Sequence, residues 1–428
     1  MQPTTTIITR VAVPGVESEQ LQAHQIGRDH FVVASVPFVD TTLAMGDIVE
    51  CVTVGGAFHV DRVVVRGGAS TVRVLPEDPE GQDPSEIAGT LLAFGCHVEL
   101  GPGGMLAASI GADCPREGIT EWLSGLEAQG AIQLAPGYMA ENPVTLATMS
   151  VFVSAAELNE RIQAGQKQTV IAALWEPKAG KAWSKFQSEH IPTALYCDPS
   201  VQLAGMPGRR VGRNPMPSID TVAKAAAGWG IEAGRPVVVY DGGNGLFAAR
   251  AWWILRWAGV QDVHILDGGF AAWDGQGLPT IAGPGSVVVP REVQLTAGSL
   301  PAATMDDVRT FEGVLIDARG ARRFAGRRET LDLRAGHIPG AKNLPVNDLF
   351  DADASTVKDA DAIRERFAQI GVTQNTDPAS MIVYSGSGNH SALLLAALEH
   401  AGLPLLTHYV GGWSQWSANR DNPVATDM

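Results

Sequence analysis

Two kinds of hydrophobic pattern divide this chain. Up to about residue 148, short segments with alternating β-branched residues predict strands, and Gly55-Gly56 predicts the hairpin turn between two of them. From Pro84 onward, the periodicity of the same region predicts a helix, two strands, a helix and a strand. Residues 1–148 are therefore expected to form a small α+β domain. The strands predicted in its first half are His30–Phe38, Asp47–Val54, Phe58–Arg66 and Ser70–Leu75.

Beyond residue 148 the pattern occurs twice. Val237–Gly245 (VVVYDGGNG) and Met381–Asn389 (MIVYSGSGN) each lead into an apolar helical stretch. A Gly-Gly pair follows Asp241 by 27 residues and Ser385 by 26, and a His-Ile-Pro triplet precedes them by 51 and 48 residues. Each copy alternates strands with helices, which predicts an α/β fold with a parallel sheet in each copy.

The repeat sets the predicted domain bounds. The α+β domain is expected at 1–148, the first copy at 149–283 and the second copy at 284–428. Glu141–Met149 is the predicted linker before the first copy, and the Pro- and Gly-rich stretch Gly283–Leu300 crosses between the copies.

The loop after the last apolar strand is the main candidate for chemistry. Met381–Tyr384 predicts a buried strand, a polar Gly-rich loop runs from Ser385 to His390, and Ser391 opens a helix that stops at Gly402. A strand, a tight loop and a helix N-terminus bring several backbone N–H groups around one point. Such a nest holds an anion or a nucleophile that becomes one, and Ser385 stands at the nucleophile's position.

Composition and charge argue against several classes of binding partner for this chain. The 428-residue chain carries a net charge of −15, which argues against nucleic acid, because proteins that bind phosphate backbones concentrate Lys and Arg. No apolar run reaches membrane-spanning length and no signal peptide is recognisable, so we expect a cytoplasmic protein without a membrane partner. The four cysteines form no CxxC or Cys/His cluster, so no metal site is expected.

From about residue 149 to its end, the chain resembles the tandem-domain rhodaneses, the thiosulfate and 3-mercaptopyruvate sulfurtransferases. The resemblance rests on the paired Gly-Gly-x-x-x-Trp signatures, on the first copy's VVVYDGGNG and ARAWW, and on three stretches of the second copy. These are IDARGARRF (Ile316–Phe324), AGHIPGAKNLP (Ala335–Pro345) and VYSGSG (Val383–Gly388). The N-terminal part is similar to a family of small bacterial domains of unassigned function, through Pro37–Asp47 and Ala93–Cys96.

The resemblance implies two rhodanese-like parallel-sheet domains in tandem, of which the second carries the active site. It implies sulfur transfer without a metal or an organic cofactor. A loop cysteine takes a sulfane sulfur from a small anionic donor, holds it as a persulfide, and passes it to cyanide or a thiol acceptor. In this chain that position is Ser385. A hydroxyl is far less acidic than a thiol and carries no transferable sulfur in the same way, so we expect the chain to be inactive or nearly so.

Two explanations for Ser385 stay open. In one, a sulfurtransferase has had its cysteine replaced by serine, which the retained loop Gly386–Gly388 favours. In the other, a natural relative has lost or changed the chemistry, and Asn389–Ser391, in place of the family's Val-Thr-Ala, favours this. The competing function is a non-catalytic binding or regulatory protein that holds a small anion or a partner, with residues 1–148 as the candidate for a protein partner.

The resemblance also assigns residues to substrate binding. Arg323 matches the arginine that clamps the donor's anionic group, which a guanidinium suits well, and Arg334 is a second candidate. The loop residues expected to contact the substrate are Gly386, Ser387, Gly388, Asn389 and His390.

A Ser-His-Asp relay of the mercaptopyruvate type is a further candidate. Ser387 resembles its serine and His190 matches its histidine by motif. The expected acid is missing, since Gly180–Phe186 contains no Asp or Glu.

Two local alternatives concern serine chemistry and the first copy. Ser385 as an activated serine nucleophile needs a base in reach, and His390, at the helix start, is expected to be structural instead. Asp241 fills the nucleophile position of the first copy. Its carboxylate is expected to close that loop through hydrogen bonds and to have no chemistry.

Overall fold

The computed structural model describes residues 4–13, 15–76, 84–111, 114–135, 137–140, 150–286, 288, 290, 293–351 and 356–427. The predicted linker Glu141–Met149 lies outside the described residues. Contacts divide the chain into two units. The first is Met1–Leu146 with two short pieces, Asn159–Lys167 and Pro279–Pro284, and the second holds the rest. The domain bounds 1–148, 149–283 and 284–428 stay predictions.

The first unit begins with a closed barrel of β1 to β5. Neighbouring strands run antiparallel along the chain, and β1 closes the barrel by pairing with β5 in parallel. The hairpin predicted at Gly55-Gly56 joins β4 to β5 and is confirmed. The first two strands were not predicted. The barrel strands are β1 Thr4–Val13, β2 Val16–Gln25, β3 His30–Val33, β4 Ile48–Val54 and β5 Ala57–Val65.

A sheet with two helices completes the first unit, and its strand order is β7-β8-β6-β9. The predicted succession of helix, strand, strand, helix and strand is confirmed. Ile87, Leu91, Ile119 and Leu123 lie on the buried faces of the two helices and pack against the sheet. The elements are β6 Ser70–Pro76, α1 Pro84–Ala93, β7 His97–Leu100, β8 Leu106–Ile110, α2 Arg116–Ala128 and β9 Ile132–Ala135.

The first copy of the repeat is an α/β domain with a parallel sheet of order β10-β14-β13-β11-β12. Its strands β11, β13 and β14 are buried along their whole length, which explains their continuous apolar runs. The elements are β10 Phe152–Val153, α3 Ala155–Gln163, β11 Thr169–Ala173, α4 Lys181–Ser188, β12 Leu195–Cys197, α5 Pro199–Gln202, α6 Ile219–Gly228, β13 Val237–Tyr240, α7 Leu246–Trp257, β14 Val263–Leu266 and α8 Gly269–Gly275.

The second copy has a parallel sheet of order β16-β15-β17-β18, so the predicted α/β class holds for both copies. Helices α7 and α12, one from each copy, pack on each other in a shared hydrophobic core. The elements are α9 Met305–Arg309, β15 Val314–Asp317, α10 Ala321–Phe324, β16 Lys342–Asn343, α11 Ala360–Ala368, β17 Met381–Tyr384, α12 Asn389–His400, β18 Thr407–Tyr409 and α13 Gly412–Trp416.

Two negative observations apply to the described residues. No helix within these ranges is long and apolar enough to cross a membrane. The same ranges hold no group of three or more His, Cys, Asp or Glu side chains placed to bind a metal ion.

Candidate active site

The predicted strand, loop and helix around Ser385 are present. Buried strand β17 ends at Tyr384, and α12 begins at Asn389 rather than at Ser391 as predicted. The helix starts two residues early because Gly388, with φ 91°, takes the left-handed conformation at the N-cap and turns the chain directly into the helix. Asn389 and His390 therefore belong to the first helical turn and not to the loop.

The hydroxyl of Ser385 lies inside the loop and is fully buried. Its Oγ accepts a hydrogen bond from the backbone N–H of Gly388 at 3.2 Å and lies 3.0 Å from the Oγ of Ser391. Its carbonyl accepts the N–H of Trp413 at 2.7 Å, which ties the loop to the Gly-Gly-Trp signature. Residue 385 is thus held through both its side chain and its carbonyl, and its side chain has one backbone N–H as a donor.

Two arginines border the outer face of this loop. A β-carbon added at Gly386 would lie 3.0 Å from Arg213 Nη2 and 3.4 Å from Arg323 Nη1, so glycine leaves the room that both guanidiniums occupy. Arg323 donates to Glu329 and to Asp332, each at 2.9 Å, and Arg213 pairs with Asp332 as well. Both carboxylates are buried, so the two cations are held in place by charge pairs.

A third arginine reaches the loop from helix α7 of the first copy. Arg250 is 2% exposed and donates from Nε and Nη2 to backbone carbonyls of Leu203, Asn214 and Pro215. Its Nη1 has no hydrogen-bond partner among the described residues, and it lies 2.7 Å from where a β-carbon of Gly388 would stand. Burial lowers the pKa of this guanidinium to about 10, so it remains a cation at neutral pH.

His390 stands near these cations in the first turn of α12. Burial, followed by the charge of Arg323, lowers the pKa of His390 to about 4, so the ring is neutral at pH 7. It offers a neutral hydrogen-bonding edge to the cleft and adds no positive charge.

A cleft of about 410 Å³ lies between the two copies and brings most of the predicted residues together. Arg323, Gly386, Ser387, Asn389 and His390 line it, and their part in substrate binding stays a prediction. The first copy contributes the other wall through Trp175, Pro199, Ser200, Ala204, Arg213, Asn214, Phe247 and Arg250.

The two candidate relay residues, Ser387 and His190, make hydrogen bonds to different partners. The Oγ of Ser387 accepts a hydrogen bond at 3.0 Å from the amide of Asn214, and an amide is no proton acceptor at neutral pH. His190 is buried in the first copy, where its Nδ1 donates to the carbonyl of Phe186 at 2.8 Å and its ring stacks on the Phe186 ring. His337 bonds the carbonyl of Phe324 and stacks on its ring in the same way, and a part for His190 in a relay stays a prediction.

Arg334 is used for structure rather than placed at the loop. Its guanidinium donates to main-chain carbonyls of the C-terminal segment, at Ser417, Asn419 and Asn422 within 2.9 Å and at Trp416 at 3.4 Å. These bonds use the donors that an anion would need. The candidacy of Arg334 as a second clamp is therefore not supported by its geometry.

Sequence reasoning missed five residues of this region: Arg213, Asn214, Arg250, Ser391 and His408. The three residues of the first copy lie far from the loop in sequence, and only the packing of α7 on α12 brings Arg250 to Gly388.

The sequence did contain a sign of the other two residues, Ser391 and His408. Ser391 replaces an alanine in the loop ending typical of the family, and His408 lies in the short strand Thr407–Tyr409, which follows an apolar stretch.

The first copy shows the loop in a closed form. The Asp241 carboxylate accepts the N–H groups of Gly243, Gly245, Phe247 and Ala248 at 2.9 to 3.4 Å. The expectation that this carboxylate closes its own loop is confirmed.

Comparisons with known proteins agree with this architecture. The family model described as "Rhodanese-like domain" matches residues 154–276 and 302–419, and "Domain of unknown function (DUF4265)" matches residues 19–134. A probable 3-mercaptopyruvate sulfurtransferase of Pseudomonas aeruginosa is 36% identical, covering 59% of this chain and 89% of the relative.

Two further proteins show the same likeness. A putative thiosulfate sulfurtransferase of Mycobacterium tuberculosis is 33% identical, covering 64% of this chain and 96% of the relative. The solved structure of Escherichia coli SseA, described as a 3-mercaptopyruvate sulfotransferase, has a TM-score of 0.53 at 31% identity, covering 62% of this chain and all of that one.

Proposed function

Since the chain belongs to the rhodanese family, with two rhodanese domains after a DUF4265 domain, we propose that its cleft is a sulfurtransferase site of the thiosulfate or 3-mercaptopyruvate type. The donor is a small anion bearing a transferable sulfur, and the acceptor is a thiol or cyanide. The relatives named for these reactions support the class. Residue 385 is the position that takes the sulfur. With serine there, the chain holds the donor and transfers little or none.

One observation carries the proposal: the cations converge on the open loop of the second copy. Arg213 and Arg323 border Gly386, and Arg250 presents a buried nitrogen without a partner in the described structure beside Gly388. A buried guanidinium N–H that lacks an acceptor costs free energy, and a bound anion removes that cost. The cleft is therefore suited to a carboxylate or thiosulfonate group next to residue 385.

The chemistry of residue 385 decides whether the sulfur moves. A thiolate attacks the donor's outer sulfur, the new S–S bond forms, and the bond from that sulfur to the donor breaks. The bonding electrons leave with the donor, as sulfite from thiosulfate or as the enolate of pyruvate from mercaptopyruvate, and the enolate takes a proton from the donor's thiol or from solvent to give pyruvate. An acceptor thiolate or cyanide then takes the outer sulfur and restores the thiolate. The hydroxyl of Ser385 keeps its proton at neutral pH, and the first step fails.

The test compares Ser385→Cys with the chain as it stands and with Ser385→Ala. We expect Ser385→Cys to form thiocyanate from cyanide with thiosulfate or mercaptopyruvate, and to gain the mass of one sulfur on the peptide that contains residue 385. Ser385 and Ser385→Ala should both stay at the background rate. A folded Ser385→Cys protein without turnover on either donor contradicts the proposal.

A non-catalytic binding protein is the second candidate, and Ser385 favours it, because the cleft combines three arginines with a residue that has no thiol. In either function an incoming anion competes with the Asp332 carboxylate, which Arg213 and Arg323 share. Titration calorimetry of the unmodified chain with thiosulfate and with pyruvate separates the candidates when read beside the turnover of Ser385→Cys. Anion binding without turnover in the cysteine variant supports the binding protein.

Two broader expectations remain proposals. The DUF4265 domain is the candidate for contact with a protein partner, and the cytoplasm is the expected compartment.

A further inference from the structure

A buried chain of hydrogen bonds leads from Ser385 into the core of the second copy. Ser385 Oγ lies 3.0 Å from Ser391 Oγ, and Ser391 Oγ lies 2.7 Å from Nε2 of His408 on strand β18. All three side chains are fully buried. The 2.7 Å contact is at the short end of the usual range, so the hydroxyl of Ser391 is held firmly.

The first copy lacks this chain of polar groups. Gly245 and Gly388 are the left-handed N-caps of α7 and α12, which aligns Ala248 with Ser391. On the neighbouring strand, Ile265 pairs with Val239 as His408 pairs with Val383. The copy with the closed loop therefore has two buried apolar residues where the copy with the open loop has Ser391 and His408.

The fold does not require a histidine at this place. Burial lowers the pKa of His408 well below its usual value, so the ring is neutral, and Arg250 lowers it further. Its Nδ1 has no hydrogen-bond partner among the described residues, and its ring meets that of Trp253 edge to face at 4.6 Å. A buried imidazole with only one of its two nitrogens bonded lowers the stability of the fold, whereas Ile265 at the same place in the first copy does not. This loss of stability suggests that His408 serves the loop that contains Ser385.

The unpaired Nδ1 also assigns the ring's tautomer. A buried N–H without an acceptor is rarer and more costly than a buried lone pair without a donor, so the proton belongs on Nε2. Nε2–H then donates to Ser391 Oγ, which frees the single proton of Ser391 for another acceptor. Two acceptors are in reach: the carbonyl of Gly388 at 3.1 Å and the side chain of residue 385 at 3.0 Å.

We propose that Ser391, oriented by His408, is a hydrogen-bond donor to the side-chain atom of residue 385 when that atom becomes negatively charged. While the atom is neutral, the Ser391 hydroxyl bonds the carbonyl of Gly388. When a thiolate or persulfide forms at residue 385, the hydroxyl rotates to it and joins the Gly388 N–H as the second donor. Ser391 is then a catalytic residue and His408 a positioning residue. The inference rests on the proposed sulfur transfer and names two more residues for it.

Other charged groups also act on residue 385, and the experiment holds them constant. Arg213 and Arg323 border Gly386, while Arg250 faces both Gly388 and His408. Asp317 and Arg319 of the neighbouring strand end, with Arg213 and Arg323, surround His390. None of these groups changes when Ser391 or His408 is replaced, so a difference between variants reports the pair itself.

The test measures the ionisation of a thiol at residue 385, which needs no sulfur donor. Ser385→Cys is the parent, and Ser391→Ala, His408→Ile and His408→Gln are each added to it. Ala and Ile are the residues that the first copy buries at these positions. The ultraviolet absorbance of the thiolate is followed against pH, and the curve of the matching chain with Ser385 is subtracted to remove tyrosine ionisation.

We expect Ser391→Ala to lower the thiolate fraction about tenfold at pH values well below the parent's midpoint, because a hydrogen bond to a charged group is lost. His408→Ile should lower it by a similar factor. His408→Gln, which keeps a donor at the position of Nε2, should restore most of the parent's curve. If His408 has only a structural role, its replacement changes the free energy of unfolding and leaves the thiolate titration curve where it is in the parent.

An unchanged curve in Ser391→Ala overturns the proposal. A shift in Ser391→Ala without a shift in His408→Ile overturns the positioning role of His408. If the Ser385→Cys parent transfers no sulfur but the curves still shift, the proposed function fails, while the hydrogen bond from Ser391 to the thiolate at residue 385 stands. If the parent transfers sulfur and the titration curves of all variants coincide, the proposed function stands and the roles of Ser391 and His408 are overturned.

Discussion

The two rhodanese copies use the same loop in opposite ways. In the first, the Asp241 carboxylate accepts backbone N–H groups from Gly243 to Ala248, so the nest is filled by the chain itself. In the second, the Ser385 hydroxyl has the Gly388 N–H as its backbone donor, with Ser391 beside it. A carboxylate closes the loop of the first copy, whereas the small side chain of Ser385 puts no anionic group of the chain into the second loop.

The charged residues around the two loops also differ, and the second loop has the more positive surroundings. The cavity beside the first loop, about 490 Å³, is lined by Glu176, Lys185 and Glu189 among other described residues, so its charges are mixed. The cleft beside the second loop has Arg213, Arg250 and Arg323 in its lining. The difference teaches that the same loop fold can have different charged surroundings. The proposed site is the loop that combines a small side chain with a concentration of positive charge.

The largest expected effect comes from emptying the closed loop. Asp241→Ala leaves several buried N–H groups without an acceptor, and we expect it to lower the free energy of unfolding by about 3 kcal/mol. Ser385→Ala, the matched change in the open loop, should cost about 1 kcal/mol or less. Urea unfolding of both variants measures this. Equal losses would show that the two loops do not differ in this way.

The second effect concerns pH and the first helical turn, where His390 in the second copy corresponds to Phe247 in the first. The pKa of His390 is lowered to about 4 in the folded chain, against about 6.5 for an unfolded histidine. Between these values the unfolded state binds the additional proton, so stability is complete above about pH 6.5 and is lost as the pH falls toward 4.

His390→Gln should therefore remove part of the acid destabilisation, about 3 kcal/mol at pH 4. Unfolding measured from pH 4 to pH 8 tests this, with the unmodified chain as the reference. Parallel stability curves for the two proteins would show that His390 is not the group responsible.

The third effect separates the arginine at the open loop from the arginine that holds the C-terminal segment. Arg323→Lys loses the planar fork, and we expect about tenfold weaker binding of thiosulfate in calorimetry. Arg334→Lys should leave this affinity unchanged and lower the thermal midpoint, because Arg334 bonds main-chain carbonyls. Weaker binding in Arg334→Lys alone would reverse the assignment.

The smallest expected effect concerns a histidine contact that the two copies have in common. His190 and His337 make the same bond and ring stack in their respective copies, so His190→Leu and His337→Leu should each cost about 1 kcal/mol. In the Ser385→Cys chain, His190→Leu should leave turnover of mercaptopyruvate intact. A selective loss of that turnover would restore His190 to a catalytic relay.

Local pattern was sufficient for much of the fold and part of the site. The strand before Ser385, the turn at Gly388 and the following helix depend on neighbours in sequence, and the closed Asp241 loop follows from a carboxylate inside a nest. The repeat predicted two parallel α/β domains because its signatures recur in order at matched spacing.

What the sequence did not predict depends on contacts between distant segments. Strands β1 and β2 were missed because barrel closure buries few of their residues, among them Ile7, Leu21 and Ala23, and leaves many polar ones exposed. The partner of Ser387 proved to be Asn214, from a loop with no regular pattern. His408 was missed because a histidine in the short strand Thr407–Tyr409 gives no sign of its partner in the sequence.

The reach of Arg250 from α7 to Gly388 has a consequence for the second copy. The first copy supplies one wall of the cleft and a buried cation beside the loop of the second copy. A second copy produced on its own would therefore lack half of the cleft lining. The tandem arrangement is what completes the cleft.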